Sequence, residues 1–273
     1  SLLHRTSVDE LPLSMIQFNG RLLAGIGKKL RLYDLGLKQL LIKCESLDFP
    51  STIARLDTHG NRVFIGDMSE SVLIAKYKRV ENTFIIFAED YVPRWINSLC
   101  ALDHHSVACS DKFGNVFVLR VAEHVDDDVD PVAGTRALWD TNGRAKLQQE
   151  CHYYIGDMVT SIKKVQFIVG CSEVLVAATV SGELHVLMPI TSKGDLDFFS
   201  SLEKYMQANY KPLCGRVHMS YRSYYQPVRH TIDGDYCEQF IQISYNQKLQ
   251  FAEEQGRSVP EVIKKLQESR EFM

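Results

Sequence analysis

Short apolar runs separated by polar turns fill the first two-thirds of the chain. Leu22, Leu23, Ala24 and Ile26 are followed by Gly27-Lys28-Lys29, then by Leu30, Leu32 and Tyr33. That is strand, turn, strand. The same grammar returns over residues 63–75, 107–119 and 174–187. Each is a β-branched or aromatic run, a Gly/Asp/Ser turn and a second such run, the pattern of a β-hairpin. A further strand follows a pair at residues 83–87, and another precedes a pair at residues 95–102.

These units begin near residues 22, 63, 107 and 174, with spacings of 41, 44 and 67. The long gap holds a polar, acidic stretch, residues 123–150, without which it shrinks to 39. A period of about 40–45 residues with four strands per unit predicts propeller blades. The expectation is a mainly β chain: about four antiparallel, four-stranded blades over residues 1–190, with 123–150 an insert. An irregular β-sandwich is the alternative. Four blades are few for a closed ring, so the chain reads as a piece of a longer one or as blades completed by another segment.

After Pro189 the period changes. Leu196, Phe199, Leu202 and Met206 recur at helical spacing, and Pro212 ends that helix. Asp235-x-x-Glu238 has the form of a capping box opening a helix with Cys237, Phe240 and Ile241 inward. Ser258-x-x-Glu261 is a second such box, with Pro260 in the first turn and Val262, Ile263 and Leu266 on one face. Residues 191–273 are expected to form a small helical domain.

Composition narrows the classes without naming a function. The 273 residues are 45% hydrophobic and 24% charged, a globular balance. The net charge of −3 argues against a generally basic, nucleic-acid-coating chain. The longest run without a charge is ten residues, 11–20, about half of a membrane span. The opening residues do not resemble a signal peptide. Seven Cys with no C-x-x-C pair, and no N-x-Ser/Thr sequon, fit a reducing compartment.

Chemical motifs fail on spacing. Gly20-x-x-x-x-Gly25 continues Ile26-Gly27 instead of Lys-Ser/Thr, so it is a hairpin and no phosphate loop. Asp103-His104-His105 lacks further carboxylates and reads as a solvated turn. Asp126, Asp128 and Asp130 start like a calcium loop, but Pro131 stands where Gly is needed and Ala137 where Glu is needed. Lys76-Tyr77-Lys78-Arg79 could touch phosphates, although a solvated outer strand is the better reading. No catalytic, cofactor or metal set is expected, and a bladed β surface without a reaction centre points to binding.

The segment from Gly20 to Gly36 resembles the start of the C-terminal propeller in a family of very large triple-propeller proteins. The family contains the large subunit of the damaged-DNA-binding ligase adaptor, the A subunit of the cleavage and polyadenylation specificity factor, and the large propeller subunit of splicing factor 3b. Ile232-Asp-Gly-Asp235 with Phe240 is shared across it. Tyr77–Asn82, Phe87–Asp90, Pro93-Arg-Trp95, Asp111–Asn115, Ala137–Asp140, Pro212–Arg216, Arg222–Tyr225 and Pro260–Leu266 look like the splicing member in particular. Residues 123–150, Ile96 and the last four residues depart from it.

The resemblance implies a nuclear, non-enzymatic scaffold in the U2 snRNP, which selects the branch site. It would hold a HEAT-repeat subunit and the small subunits of splicing factor 3b, and meet pre-mRNA mostly indirectly, with no membrane and no small-molecule substrate. A cullin-ligase adaptor, a 3′-end processing subunit and a direct nucleic-acid-binding propeller are the alternatives.

In a propeller the innermost strand of each blade lines the channel and its flanking loops form the faces. Residues 95–102, 159–165 and a strand starting near Ser51 fit that role. The candidate partner contacts are therefore Ser51, Tyr91, Pro93, Arg94, Trp95, Lys112, Val159, Thr160 and Lys163, with Arg229 from the helical part. Arg and Trp are enriched at hot spots. In Asp233-Gly234-Asp235, Asp235 is expected to cap the helix and Gly234 to take a backbone angle that other residues avoid.

Overall fold

A computed structural model describes residues 5–47, 49–123, 125, 144–210 and 215–271. The chain divides into two compact units, residues 1–162 with 178–183, and residues 163–177 with 184–273.

The strands pair into successive sheets. Strands β1 (Pro12–Phe18), β2 (Arg21–Ile26), β3 (Lys29–Leu35) and β4 (Leu40–Ser46) form the first, antiparallel and in chain order. Strands β5 (Ile53–His59), β6 (Arg62–Asp67), β7 (Val72–Lys78) and β8 (Thr83–Glu89) repeat that order. The third sheet pairs β9 (Ile96–Ala101), β10 (Ser106–Asp111) and β11 (Asn115–Arg120) with β13 (Gln148–Tyr154). The fourth runs β14 (Val159–Val165), β15 (Val174–Thr179) and β16 (Leu184–Leu187), three strands among the described residues. This is a four-bladed, mostly antiparallel arrangement.

The second sheet is covered on both faces. Val63, Ile65, Leu73, Ala75, Phe84 and Ile86 pack with Phe18, Leu23, Leu30 and Leu32 of the first sheet. Phe64, Val72, Ile74 and Phe87 pack with Ile96, Leu99, Val107, Phe117 and Leu119 of the third. Its inner strands β6 and β7 therefore carry nearly continuous apolar runs, as strands buried on both sides do.

Small residues let the blades close on one another. A Cβ on Gly25 of β2 would stand 2.5 Å from Ile53 Cγ2, at the start of β5. A Cβ on Gly66 of β6 would stand 2.7 Å from Ile96 Cγ2, at the start of β9. At the third repeat Ser110 Oγ lies 3.5 Å from the carbonyl of Val159.

The supposed insert is shorter than the period predicts. Strand β12 (Ala145–Lys146) lies parallel to β8, and β13 begins at Gln148, so the third blade takes its outer strand from inside residues 123–150. Leu147 between them is buried in the core. The Asp126, Asp128, Asp130, Pro131 and Ala137 positions lie outside the described residues.

In the second unit, α1 (Lys193–Asn209), α2 (Gly234–Glu238), α3 (Tyr245–Glu254) and α4 (Val259–Glu271) share one core. Phe198, Leu202, Tyr205 and Met206 are its α1 contribution, while Leu196 is exposed. The inward face keeps Leu202 and Met206 of the expected set, with Phe199 packed against the core, and takes Phe198 and Tyr205 in place of Leu196. Helix α1 stops at Asn209, and Pro212 lies outside the described residues. Ile241, expected inside, is exposed beside buried Phe240, because residues 239–242 continue α2 as a tighter 3₁₀ turn. One arm of the box at Ser258 forms: Glu261 Oε2 accepts from the Ser258 N–H at 2.7 Å, and the Ser258 hydroxyl donates to the same oxygen at 2.9 Å.

Candidate functional site

One end of the first unit carries most of the candidate contacts, and a repeated device fixes it. The residue at the start of each hairpin turn donates its N–H to the linker entering that blade. Met68 donates to Thr52 at 2.9 Å, Lys112 to Trp95 at 3.0 Å and Val180 to Met158 at 3.0 Å. In the first blade Gly27 donates to Leu11 at 3.3 Å.

Side-chain oxygens hold the turns. Asp67 Oδ1 accepts from the Ser69 and Glu70 amides, and its Oδ2 accepts from the Ser51 N–H at 3.0 Å. Asp111 accepts from the Phe113 and Asn115 amides and from the Asn115 side chain. Asp157 accepts from Met158 and Ser181, whose hydrogen bonds, with that of Thr179, hold its carboxyl down at about 2. Asp103 does the same at the opposite end of its blade, accepting from the His105 and Ser106 amides, so the Asp-His-His triplet forms a turn.

The linker 90–95 is pinned from below. Arg94 forms an ion pair with Asp90, both side chains 1% exposed. Ser71 Oγ donates to the same carboxylate at 2.6 Å, and the Val92 N–H to its other oxygen at 3.2 Å. Arg94 also donates to Gln149 Oε1 at 2.6 Å and stacks 4.3 Å from the Phe117 centroid.

Above this anchor the loop presents Tyr91, Pro93 and Trp95 to solvent. Lys112 Nζ lies 2.9 Å from the centroid of the Trp95 ring and 5.0 Å from that of Phe113. Trp95 and Phe113 are each nearly half exposed. A cavity of about 500 Å³ opens beside Tyr91, lined by Glu70, Glu89, Arg144 and Lys146 among others. Burial raises the Glu89 carboxyl, but hydrogen bonds and charge from Lys146 and Arg144 outweigh it and hold it below its ordinary range.

The structure sorts the remaining candidates. Arg94 and Val159 are buried, so neither side chain is a surface contact here: Arg94 is a strut between the second and third blades, and Val159 starts β14 in the core. Strand β9 starts at Ile96, which leaves Trp95 in the loop. Ser51 is half-buried on Asp67, and Thr160 is exposed with its hydroxyl donating to Ala178. Lys163 and Arg229 are exposed but belong to the second unit. In the basic tetrad, Tyr77 is buried and its hydroxyl donates to Asn82, and β7 is not the outer strand of its sheet.

The cap expectation is corrected. Asp233, not Asp235, caps α2, its Oδ1 accepting from the Tyr236 N–H at 3.2 Å. Its Oδ2 accepts from Arg222 at 2.8 Å and faces His218 Nε2 at 2.6 Å. Burial raises this carboxyl, and the Arg222 charge with the His218 and Tyr236 hydrogen bonds brings it below its ordinary range. Asp235 sits exposed in the first turn. Gly234 has no positive φ, because it is already the first helical residue.

The chain is 46% identical to splicing factor 3B subunit 3 of Danio rerio over 98% of its length. It is 44% identical to spliceosome-associated protein 130 A of Arabidopsis thaliana and 42% to splicing factor 3B subunit 3 of Drosophila melanogaster, again over 98%. It spans only 22–23% of the length of these relatives. Residues 1–242 match the family model described as the CPSF A subunit region, and the chain belongs to that family.

Proposed function

We propose that the chain is a non-enzymatic scaffold of pre-mRNA splicing, acting in the nucleus within splicing factor 3b of the U2 snRNP. Residues 1–190 would supply the blades and 191–273 a helical domain. The relatives' names support the splicing role. The observation that carries the scaffold reading is the rigid aromatic end of the first unit. Tyr91, Pro93, Trp95 and Phe113 stand exposed on loops locked by Asp111 and by the buried Asp90–Arg94 pair. Aromatic side chains held in one conformation lose little entropy on binding and suit a protein interface.

The partner on this reading is the HEAT-repeat subunit, with the small subunits alongside. The test is capture of that subunit from nuclear extract by the chain carrying Trp95→Ala or Lys112→Glu. Capture is expected to fall more than tenfold with either. Undiminished capture by both variants removes this end as the interface. Recovery of a cullin or of 3′-end processing factors in its place assigns the chain to another branch of the family.

A further inference from the structure

The charge count of residues 191–273 is even, with 11 basic and 11 acidic side chains, but the two signs are segregated along the chain. From Lys204 to Ile232 there is no Asp or Glu, while five Lys or Arg and five Tyr occur in the same 29 residues. Within the described part of this stretch, Arg216, Tyr221, Tyr224, Tyr225, Arg229 and His230 are all exposed.

We propose that the loop of residues 215–232 is a contact for single-stranded RNA, beyond the protein-scaffold role. Phosphates call for cations without competing carboxylates, and unpaired bases call for exposed ring faces. Arg216 and Arg229 supply the first, and the three tyrosines the second. Tyr224 and Tyr225 lie with ring centroids 5.3 Å apart and planes 74° apart, so their faces point in different directions.

The base of the loop is built firmly and its charge is managed. The His218 ring stacks on Tyr236 at 3.9 Å with 6° between planes, while His218 and Arg222 both engage buried Asp233. Buried Asp233 is therefore matched by basic groups, and Glu203, which accepts from the Asp233 N–H at 3.2 Å, is a half-buried acid whose carboxyl burial raises. Asp235, 3.9 Å from the Arg222 guanidinium, is the nearest exposed acid on α2. An aromatic and basic segment clamped at its base loses less entropy on binding a flexible strand than a loose tail would.

The test uses the full 273-residue chain and a fluorescent 12-nucleotide uridine-rich RNA, titrated at several salt concentrations. Salt-sensitive binding is expected. Tyr224→Ala with Tyr225→Ala should weaken it by roughly tenfold for each stacked base lost. Arg216→Ala with Arg229→Ala should reduce the slope of log K against log salt by about 1.4, at about 0.7 per single-strand phosphate contact. Tyr245→Ala, an exposed tyrosine on α3, should change nothing. Absence of binding at low salt, or binding indifferent to the loop variants, overturns the proposal. So does a loss confined to protein partners in nuclease-treated extract. Photocrosslinking of thiouridine RNA to the unmodified chain covers any variant that fails to fold. Crosslinks within residues 216–230 support the proposal, and crosslinks only elsewhere overturn it.

Discussion

Arg94 and Asp90 face each other four residues apart in a linker, yet both side chains are almost wholly excluded from water. The pair joins the second blade, through Ser71, to the third, through Gln149 and Phe117. Removing only the cation leaves a buried carboxylate without its main partner. Arg94→Ala is expected to cost about 3–5 kcal/mol in urea unfolding. Replacing both residues with apolar side chains of similar volume should cost much less. A single-variant loss below 1 kcal/mol would show that the pair is not the anchor.

The two aspartates around Gly234 separate by burial. Asp233→Ala removes a cap and also the carboxylate that Arg222 and His218 both engage, so it should cost at least about 1–2 kcal/mol. Asp235→Ala should stay within about 0.5 kcal/mol, as expected of an exposed side chain away from the cap. Thermal unfolding of the two variants side by side checks this. Equal losses would sink the assignment of the cap.

The hairpins were legible because alternation and turn residues are local signals. Gly27, Asp67 and Asp111 mark turns in the sequence as clearly as in the structure. What failed to show depended on distant residues. Asp235-x-x-Glu238 has the form of a capping box, but the Asp233 carboxylate is selected by Arg222 and His218, 11 and 15 residues upstream. Strands β12 and β13 hid in a polar run, where Ala145 and Leu147 are the only apolar residues of 144–150. Helix α3 was missed because it buries only Phe251 and Ala252, although Ser244-x-x-Gln247 signals its start. Among the candidate contacts, the exposure of Tyr91, Pro93 and Trp95 was legible from a loop that a proline stiffens. Arg94 was misread by the same reasoning, although an aspartate four residues earlier was in view.

Asp157 gives the acid side of the stability profile a specific contribution. Its folded value is about 2, against an ordinary 3.8, because Ser181, Thr179 and Met158 favour the charged form. A lowered value means that folding favours the deprotonated group. The contribution is therefore fully present above about pH 4 and is lost as pH falls through 2. Urea midpoints measured from pH 6 to pH 2 should show Asp157→Asn less stable than the parent at pH 6, with the gap closing at the acid end. A constant gap would assign the effect to something other than this ionisation.

Gly66 and Ile96 test how tightly the blades close. A methyl group added at Gly66 would stand 2.7 Å from Ile96 Cγ2 and 3.3 Å from its Cβ, with Arg55 Cβ at 3.4 Å on the other side. Ile96 is buried at the first position of β9, and Gly66 lies on β6, whose neighbours pair on both sides. The glycine cannot move without breaking a ladder, so the isoleucine must shift into an occupied core. Gly66→Ala is expected to cost about 1–3 kcal/mol by overpacking. Ile96→Ala alone should cost about 2–5 kcal/mol by opening a cavity. In the double variant the new methyl enters the space that the isoleucine vacates, so the two losses should fall short of their sum by at least 0.5 kcal/mol. Additive losses in a urea double-mutant cycle would mean that the glycine is retained for its backbone and not for the approach of the next blade.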